Sequence, residues 1–293
     1  LSLGLVAAGG TLGILIPPST SMIIYSTITE ESTGALFMGG VIPGIMMAII
    51  FAGYAVIYCV KTKRWNKLER CSMKDRLKNL VVSIWGLLTP VIILVSIYTG
   101  FCTPTEAAAV AVVYALIVSL FVYKDTKWSE LPSSFVEASV STATIMVMVG
   151  LSKASSYVVV TSGLPALLLD TFSSLTESRV LILLLLNLLF LIIGMLMEAN
   201  AAIIMMTPIL MPLLTLYGIN PLMFGIVMSF NLCIGLVTPP VGLCLLLSNQ
   251  IGETSLSKSL KALMPLLLIS IVVLLLITYV DPLTTWLPSL LKK

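Results

Sequence analysis

Histidine is absent from all 293 residues. A chain without it builds no His-Glu-x-x-His metalloprotease site, no histidine-based triad and no histidine proton relay. Charge is scarce as well: only 10% of the residues are Asp, Glu, Lys or Arg, and the formal net charge is +3. So few charges write no basic groove with interleaved aromatics, which argues against nucleic-acid binding. The five cysteines, Cys59, Cys71, Cys102, Cys233 and Cys244, lack metal-like spacing and lie mostly in apolar surroundings. They read as small packing residues rather than as disulfides or ligands. Gly-x-Ser-x-Gly is missing, as is any pair of membrane aspartates for an acid–base dyad, so an intramembrane hydrolase is disfavoured. The chain opens Leu-Ser-Leu-Gly, without Met and without the basic flank or cleavage site of a signal peptide. It is therefore expected to lack its N-terminal part.

What the chain has instead is apolar surface. At 58% hydrophobic residues, it exceeds what a soluble domain buries and fits an all-α polytopic membrane protein in a lipid bilayer. Two apolar stretches are interrupted in the same way. Gly13-Ile-Leu-Ile-Pro-Pro-Ser19 breaks the first, and Gly235-Leu-Val-Thr-Pro-Pro-Val-Gly242 breaks one near the far end. Consecutive prolines remove two backbone donors and crowd the preceding turn, so no continuous helix passes through. Backbone freed in this way is tolerated in a membrane only when buried or lining a wet cavity. Interrupted helices in matching places of two halves are the sequence pointer to a transporter binding site.

The remaining spans follow in order. Residues 1–28 form the first broken span, with arms expected to Leu12 and from 20 to Ile28. Residues 35–60 cross next, with Pro43 expected to kink them. Segment 61–79 carries Lys61, Lys63, Arg64, Lys67, Arg70, Lys74, Arg76 and Lys78 against Glu69 and Asp75. A short basic loop of this kind marks the cytoplasmic side. A lipid- or partner-binding basic helix is compatible with the same placement. Residues 80–98, 107–123, 133–160 and 260–281 are further spans, and 161–178 is a polar-edged external connection. Lys153 either snorkels to an interface or pairs with an acid. Between 179 and 214, Gly194-Met-Leu-Met-Glu-Ala-Asn200 interrupts an apolar segment. Arms of roughly 15 residues, where about 20 are needed to span, suit a re-entrant hairpin. The tail 281–293, with Trp286, is expected at an interface. Counting spans from a cytoplasmic 61–79 makes the two Pro-Pro helices antiparallel, as inverted repeats require.

At each break, carbonyls freed at one half-helix end carry partial negative charge, and the next half-helix presents free N–H groups. Carbonyls supplemented by the hydroxyls of Thr11, Ser19 and Thr238 suit a small hard cation. The N-termini that follow suit a carboxylate. A proline kink that only shapes packing is the bland reading of either motif alone. Glu198 and Asn200 at the hairpin tip are either ion ligands or caps for the second arm. Thr103-Pro-Thr-Glu106 reads as a capped helix start.

Taken together, Gly9-Gly-Thr-Leu-Gly-Ile-Leu-Ile-Pro-Pro-Ser19, Gly39-Gly-Val-Ile-Pro-Gly44, Thr103-Pro-Thr-Glu-Ala-Ala108 and Gly235-Leu-Val-Thr-Pro-Pro-Val-Gly242 resemble the large membrane (M) subunit of TRAP, or tripartite ATP-independent periplasmic, transporters. The resemblance covers essentially the whole chain. It implies an inverted-repeat, elevator-type carrier in the cytoplasmic (inner) membrane of a bacterium or archaeon, and no enzyme. Sodium drives such carriers, which import organic acids such as sialic acid or C4-dicarboxylates. The acid comes from a periplasmic substrate-binding protein, and a small four-helix (Q-type) membrane subunit accompanies the large one. No cofactor other than Na⁺ as coupling ion is implied.

Carried over residue by residue, the resemblance puts sodium at Gly10, Thr11 and Gly13 at the first break, and at Gly194, Gly235 and Thr238 at the second. Substrate would lie between them, near Pro17, Pro18, Ser19, Glu198, Asn200, Pro239, Pro240 and Gly242. Residues 1–34 and 179–252 would form the transport domain, 35–178 the scaffold and arms, and 253–293 the last span and tail. The first re-entrant hairpin and first scaffold helices would precede Leu1. A stand-alone ion or carboxylate carrier of related fold is the alternative within transport. A purely structural membrane protein leaves the paired breaks without a purpose.

Overall fold

The structure is a computed structural model that describes residues 2–62, 72–163, 167, 176–239, 242–252 and 256–291, with side chains at all but a few helical positions. Every regular element among the described residues is helical. In chain order these are α1 (Ser2–Leu15), α2 (Thr20–Thr29), α3 (Thr33–Thr62), α4 (Met73–Tyr98), α5 (Pro104–Ile117), α6 (Leu131–Thr161), α7 (Arg179–Leu196), α8 (Ala199–Leu216), α9 (Pro221–Gly235), α10 (Leu243–Ile251), α11 (Leu256–Tyr279) and α12 (Pro282–Leu291). Eight stretches of the described residues are long and apolar enough to cross a membrane.

The chain divides into two compact units, residues 1–62 with 148–293 and residues 63–147. The first unit is built around α9, whose residues from Leu222 to Gly235 are all buried. A helix apolar on every side belongs at the centre of a bundle. Its start follows from local chemistry. Asn220 caps it by accepting from the Leu222 amide at 2.9 Å, and Pro221 stands where no donor is needed. Phe190 of α7 meets Phe224 edge-on at 5.9 Å between ring centres, and the ring of Tyr25 covers Gly225 so closely that a Cβ there would lie 2.6 Å from Tyr25 Cδ1. The Tyr25 hydroxyl donates to the Pro221 carbonyl at 2.8 Å.

The Gly39–Gly44 motif finds its physical reason here. A Cβ on Gly40 would come 2.9 Å from the Leu15 carbonyl oxygen, and one on Gly44 would come 2.6 Å from Ile16 Cγ1. Helix α3 thus lies directly against the first break. It runs as one helix from Thr33 to Thr62 with Pro43 inside, and it packs on α1, α9 and α12. Residues 33–62 thus fall in the same compact unit as the broken helices.

The second unit contains α4, α5 and most of α6. Helix α5 starts from a capping box: Thr103 accepts from the Glu106 amide at 3.3 Å, and Glu106 accepts from the Thr103 amide at 2.8 Å, as its sequence indicates. It ends in a π-helical turn, Val118–Tyr123. The Tyr123 hydroxyl accepts from the Gly86 amide at 3.0 Å and donates to the Val82 carbonyl at 2.8 Å. It therefore bridges the two groups that delimit one turn of α4, four residues apart.

Three boundaries differ from expectation. Helix α1 continues to Leu15, past Gly13, because the Ile16 amide still reaches the Leu12 carbonyl at 2.8 Å; glycine tolerates a helix, and only the prolines end it. The hairpin arms α7 and α8 have 18 residues each, about 27 Å at 1.5 Å per residue, longer than the expected arms. The basic segment is not wholly a loop, since α4 begins at Met73 with Ser72 as its cap and takes Lys74, Arg76 and Lys78 into its first turns. The tail, for which the sequence suggested only an interfacial position, folds as α12. Residues 63–71 and most of the 161–178 connection lie outside the described residues, as does the side chain of Lys153.

Candidate functional site at the two helix breaks

The first break runs from Ile16 to Ser19. Ser19 is extended (φ −119°, ψ 124°), 1% exposed, and caps α2 by accepting from the Met22 amide at 3.5 Å. Pro17 and Pro18 are joined by a cis peptide bond. The second break starts at Leu236, where α9 tightens into turns: the Val237 amide bonds the Ile234 carbonyl and the Thr238 amide bonds the Gly235 carbonyl, at 3.2 and 3.0 Å. The Cys244 amide then reaches back to the Leu236 carbonyl at 3.0 Å. Gly242 supplies the left-handed turn, with φ +50°, that admits this reversal. Pro240 lies outside the described residues.

The hairpin tip meets this second break backbone to backbone. A Cβ on Gly194 would lie 3.2 Å from Leu232 Cα and 3.3 Å from Gly235 Cα. A Cβ on Gly235 would fall onto the Gly194 carbonyl group. Within the tip, Met197 is extended and Glu198 caps α8, accepting from the Ala201 amide at 2.9 Å. The capping role open for this carboxylate is therefore present.

Asn200 adds a contact that spacing does not foretell. Its Oδ1 accepts from Ser21 Oγ at 3.0 Å, across 179 residues of sequence, and α2 packs along α8. The hairpin tip is thereby joined to the first broken helix as well as the second. The two broken helices also touch, since a Cβ on Gly10 would lie 3.3 Å from Cys244 Sγ.

The expected hydroxyls stand in place but are engaged. Thr11 Oγ1, 5% exposed, donates to the Ala8 carbonyl at 2.6 Å, and Thr238 Oγ1 donates to the Ile234 carbonyl at 2.7 Å. A hydroxyl whose proton is committed keeps its lone pairs, so each remains an oxygen donor with a fixed direction. Gly13 is exposed with no atom near its missing Cβ. Among the described residues no group of three Cys, Asp or Glu gathers as a metal site.

Several residues of this region carry no motif. Ser21 and Tyr25 sit among ordinary α2 residues and gave no signal. Asn187 and Asn231 did give one, as lone amides within apolar runs, where polar side chains are costly.

Comparison with known proteins agrees with this geometry. Residues 1–283 match the model of a family described as "Tripartite ATP-independent periplasmic transporter, DctM component". The chain is 39% identical over 287 residues to the C4-dicarboxylate TRAP transporter large permease protein DctM of Pseudomonas aeruginosa, covering 98% of this chain and 67% of that one. It is 34% identical over 287 residues to the sialic acid TRAP transporter large permease protein SiaM of Vibrio cholerae, with 98% and 67% covered. To the isethionate TRAP transporter permease protein DctMQ of Oleidesulfovibrio alaskensis it is 36% identical over 279 residues, which is 95% of this chain and 44% of that protein. The chain thus spans about two thirds of the first two and less than half of the third. With its apolar helices and a hairpin tip that touches both Pro-Pro-broken helices, the chain belongs to the TRAP transporter family, as a large permease component.

Proposed function

We propose that the protein is the membrane subunit of a sodium-coupled importer of small organic anions, in the inner membrane, fed by a periplasmic substrate-binding protein and accompanied by a small four-helix subunit. The relatives' names give C4-dicarboxylate, sialic acid and isethionate, which share an acidic oxyanion group. A fused DctMQ relative supports the small partner.

The observation that carries this reading is the Ser21–Asn200 bond. Ser21 and Asn200 are the second residues of α2 and α8, so the bond brings two helix N-termini together. Free amides and the positive ends of two helix dipoles favour an oxyanion at that junction. Glu198 at the hairpin tip opposes such a guest by charge. Sodium bound among the carbonyls near Gly10, Thr11, Gly13, Gly194, Gly235 and Thr238 offsets this repulsion, which gives coupling a physical reason.

The hairpin and broken helices then carry the site across the membrane as an inverted-repeat elevator, with the basic segment on the cytoplasmic side. Moving them as a body keeps the freed backbone groups paired. The packing of α3 against the first break supports counting it with that body.

The test is uptake by the assembled transporter in proteoliposomes. Radiolabelled dicarboxylate, sialate and isethionate are offered with and without an inward sodium gradient and the binding protein. At least one acid accumulates only with both, and Ser21→Ala raises its apparent KM by roughly tenfold. Uptake without the binding protein identifies a stand-alone carrier instead. Uptake indifferent to sodium overturns the coupling.

A further inference from the structure

Three residues that no motif announces form a continuous buried relay through the hairpin unit. Asn231 of α9 donates through Nδ2 to both the backbone carbonyl and Oδ1 of Asn187 on α7, at 3.0 and 2.8 Å. Asn187 Nδ2 donates to Thr278 Oγ1 of α11 at 3.0 Å, and that hydroxyl donates to the Leu274 carbonyl at 2.7 Å. Asn231 and Thr278 are 0% exposed and Asn187 is 4% exposed.

The chemistry fixes the direction of every bond. The Asn187 backbone carbonyl only accepts, so the Asn231 amide must face it with nitrogen. The proton of Thr278 is committed to Leu274, so Thr278 accepts and Asn187 must turn its nitrogen there. The Asn187 oxygen is then left toward Asn231, where an N–H waits. Reversing any one amide sets acceptor against acceptor in an apolar interior. One buried oxygen, Oδ1 of Asn231, has no partner.

Position gives the relay its purpose. Asn231 lies one helical turn before Gly235, on the same face of α9, and Gly235 is where the hairpin backbone crosses at Gly194. Asn187 lies about two turns before Gly194 on α7. Apolar side chains along α7 and α9 could slide past one another at little cost; paired amides cannot. A shift of either helix by one residue breaks both Asn231 bonds and carries the carbonyls of the second break away from the hairpin tip.

We propose that Asn187, Asn231 and Thr278 are positioning residues that hold the register of hairpin and second broken helix, and through it the sodium affinity of the second break. This rests on the sodium-coupled reading above. It also ties α11, outside the motif-bearing segments, to the ion site.

The experiment uses the assembled transporter carrying Thr278→Val, Thr278→Ser, Asn187→Leu, Asn231→Leu or the double Asn substitution, with two readouts. The first is sodium-driven uptake, resolved into half-saturating sodium and maximal rate. Thr278→Val raises half-saturating sodium by about threefold, the scale of one interhelical bond in a membrane, with little change in maximal rate, and Thr278→Ser restores it. The double Asn variant is no worse than either single, because one broken link releases the chain. The second readout needs no sodium. In a background where Cys233 is the remaining cysteine, its labelling by a small thiol reagent is slow, since Cys233 is 0% exposed; it accelerates in Thr278→Val and both Asn variants but not in Thr278→Ser. Unchanged labelling and unchanged sodium dependence in folded variants overturn the relay. Equal loss in Val and Ser variants, with a fall in maximal rate alone, also overturns it and assigns Thr278 to packing. Wild-type uptake indifferent to sodium sinks the coupling reading instead, and the labelling pattern then judges the register on its own.

Discussion

Gly194 and Gly235 cross with no side chain between them. A Cβ added to Gly235 would occupy the Gly194 carbonyl group, and one added to Gly194 would stand 3.2 Å from the Leu232 carbonyl oxygen. Hairpin and broken helix meet at backbone distance because both residues are glycine, and close approach of small residues is how membrane helices gain packing energy where lipid supplies no hydrophobic drive.

Gly235→Ala is therefore expected to push the hairpin from the break. Overpacking of this kind costs roughly 1–3 kcal/mol, and backbone on both sides leaves little room to yield. The purified variant should melt at a lower temperature than the parent. Gly9→Ala, where nothing lies within 4 Å of the added atom, should melt as the parent does. Equal melting of all three would mean that the crossing is looser than these positions require.

Thr238→Val keeps the shape of the side chain and removes its oxygen. The Ile234 carbonyl loses one of its donors, the one at 2.7 Å, and keeps the Val237 amide; the second break loses a lone pair directed by the lost bond. Half-saturating sodium for uptake is expected to rise on the order of tenfold, about 1.4 kcal/mol, with Thr238→Ser close to the parent. A sodium response identical in Val and Ser variants removes Thr238 from the ion site.

Tyr123→Phe tests the second unit. Its hydroxyl serves both Gly86 and Val82, a donor and an acceptor on one turn of α4. Loss of this bridge is expected to cost about 1 kcal/mol. It should also speed amide hydrogen exchange around 82–90, a stretch already weakened by Pro90 inside the helix. Exchange unaltered there would show the bridge to be incidental.

Local chemistry made much of the chain legible in its sequence. Apolar runs and scarce charge specified membrane helices. Two Pro-Pro pairs specified the breaks, because two successive rings without an N–H stop a helical ladder that a single proline, such as Pro43 or Pro90, leaves running. Thr103-Pro104-Thr105-Glu106 announced its helix start through bonds made within four residues. Where expectation slipped, it read a permissive residue as a stop: α1 runs past Gly13 to Leu15, and α7 runs past Gly194 to Leu196. The resemblance paired the hairpin tip with the second break; only the tertiary structure showed how the two meet and that the tip also reaches the first broken helix. The partners in Ser21–Asn200 and Asn187–Asn231–Thr278 lie between 44 and 179 residues apart, and a lone serine or asparagine in an apolar helix says that a partner is needed without saying where. The partner is set by helix packing, which depends on shape along whole faces: the missing side chains of Gly40, Gly194, Gly225 and Gly235 let particular helices approach, and the polar groups brought within reach then form bonds that an apolar interior makes costly to leave open.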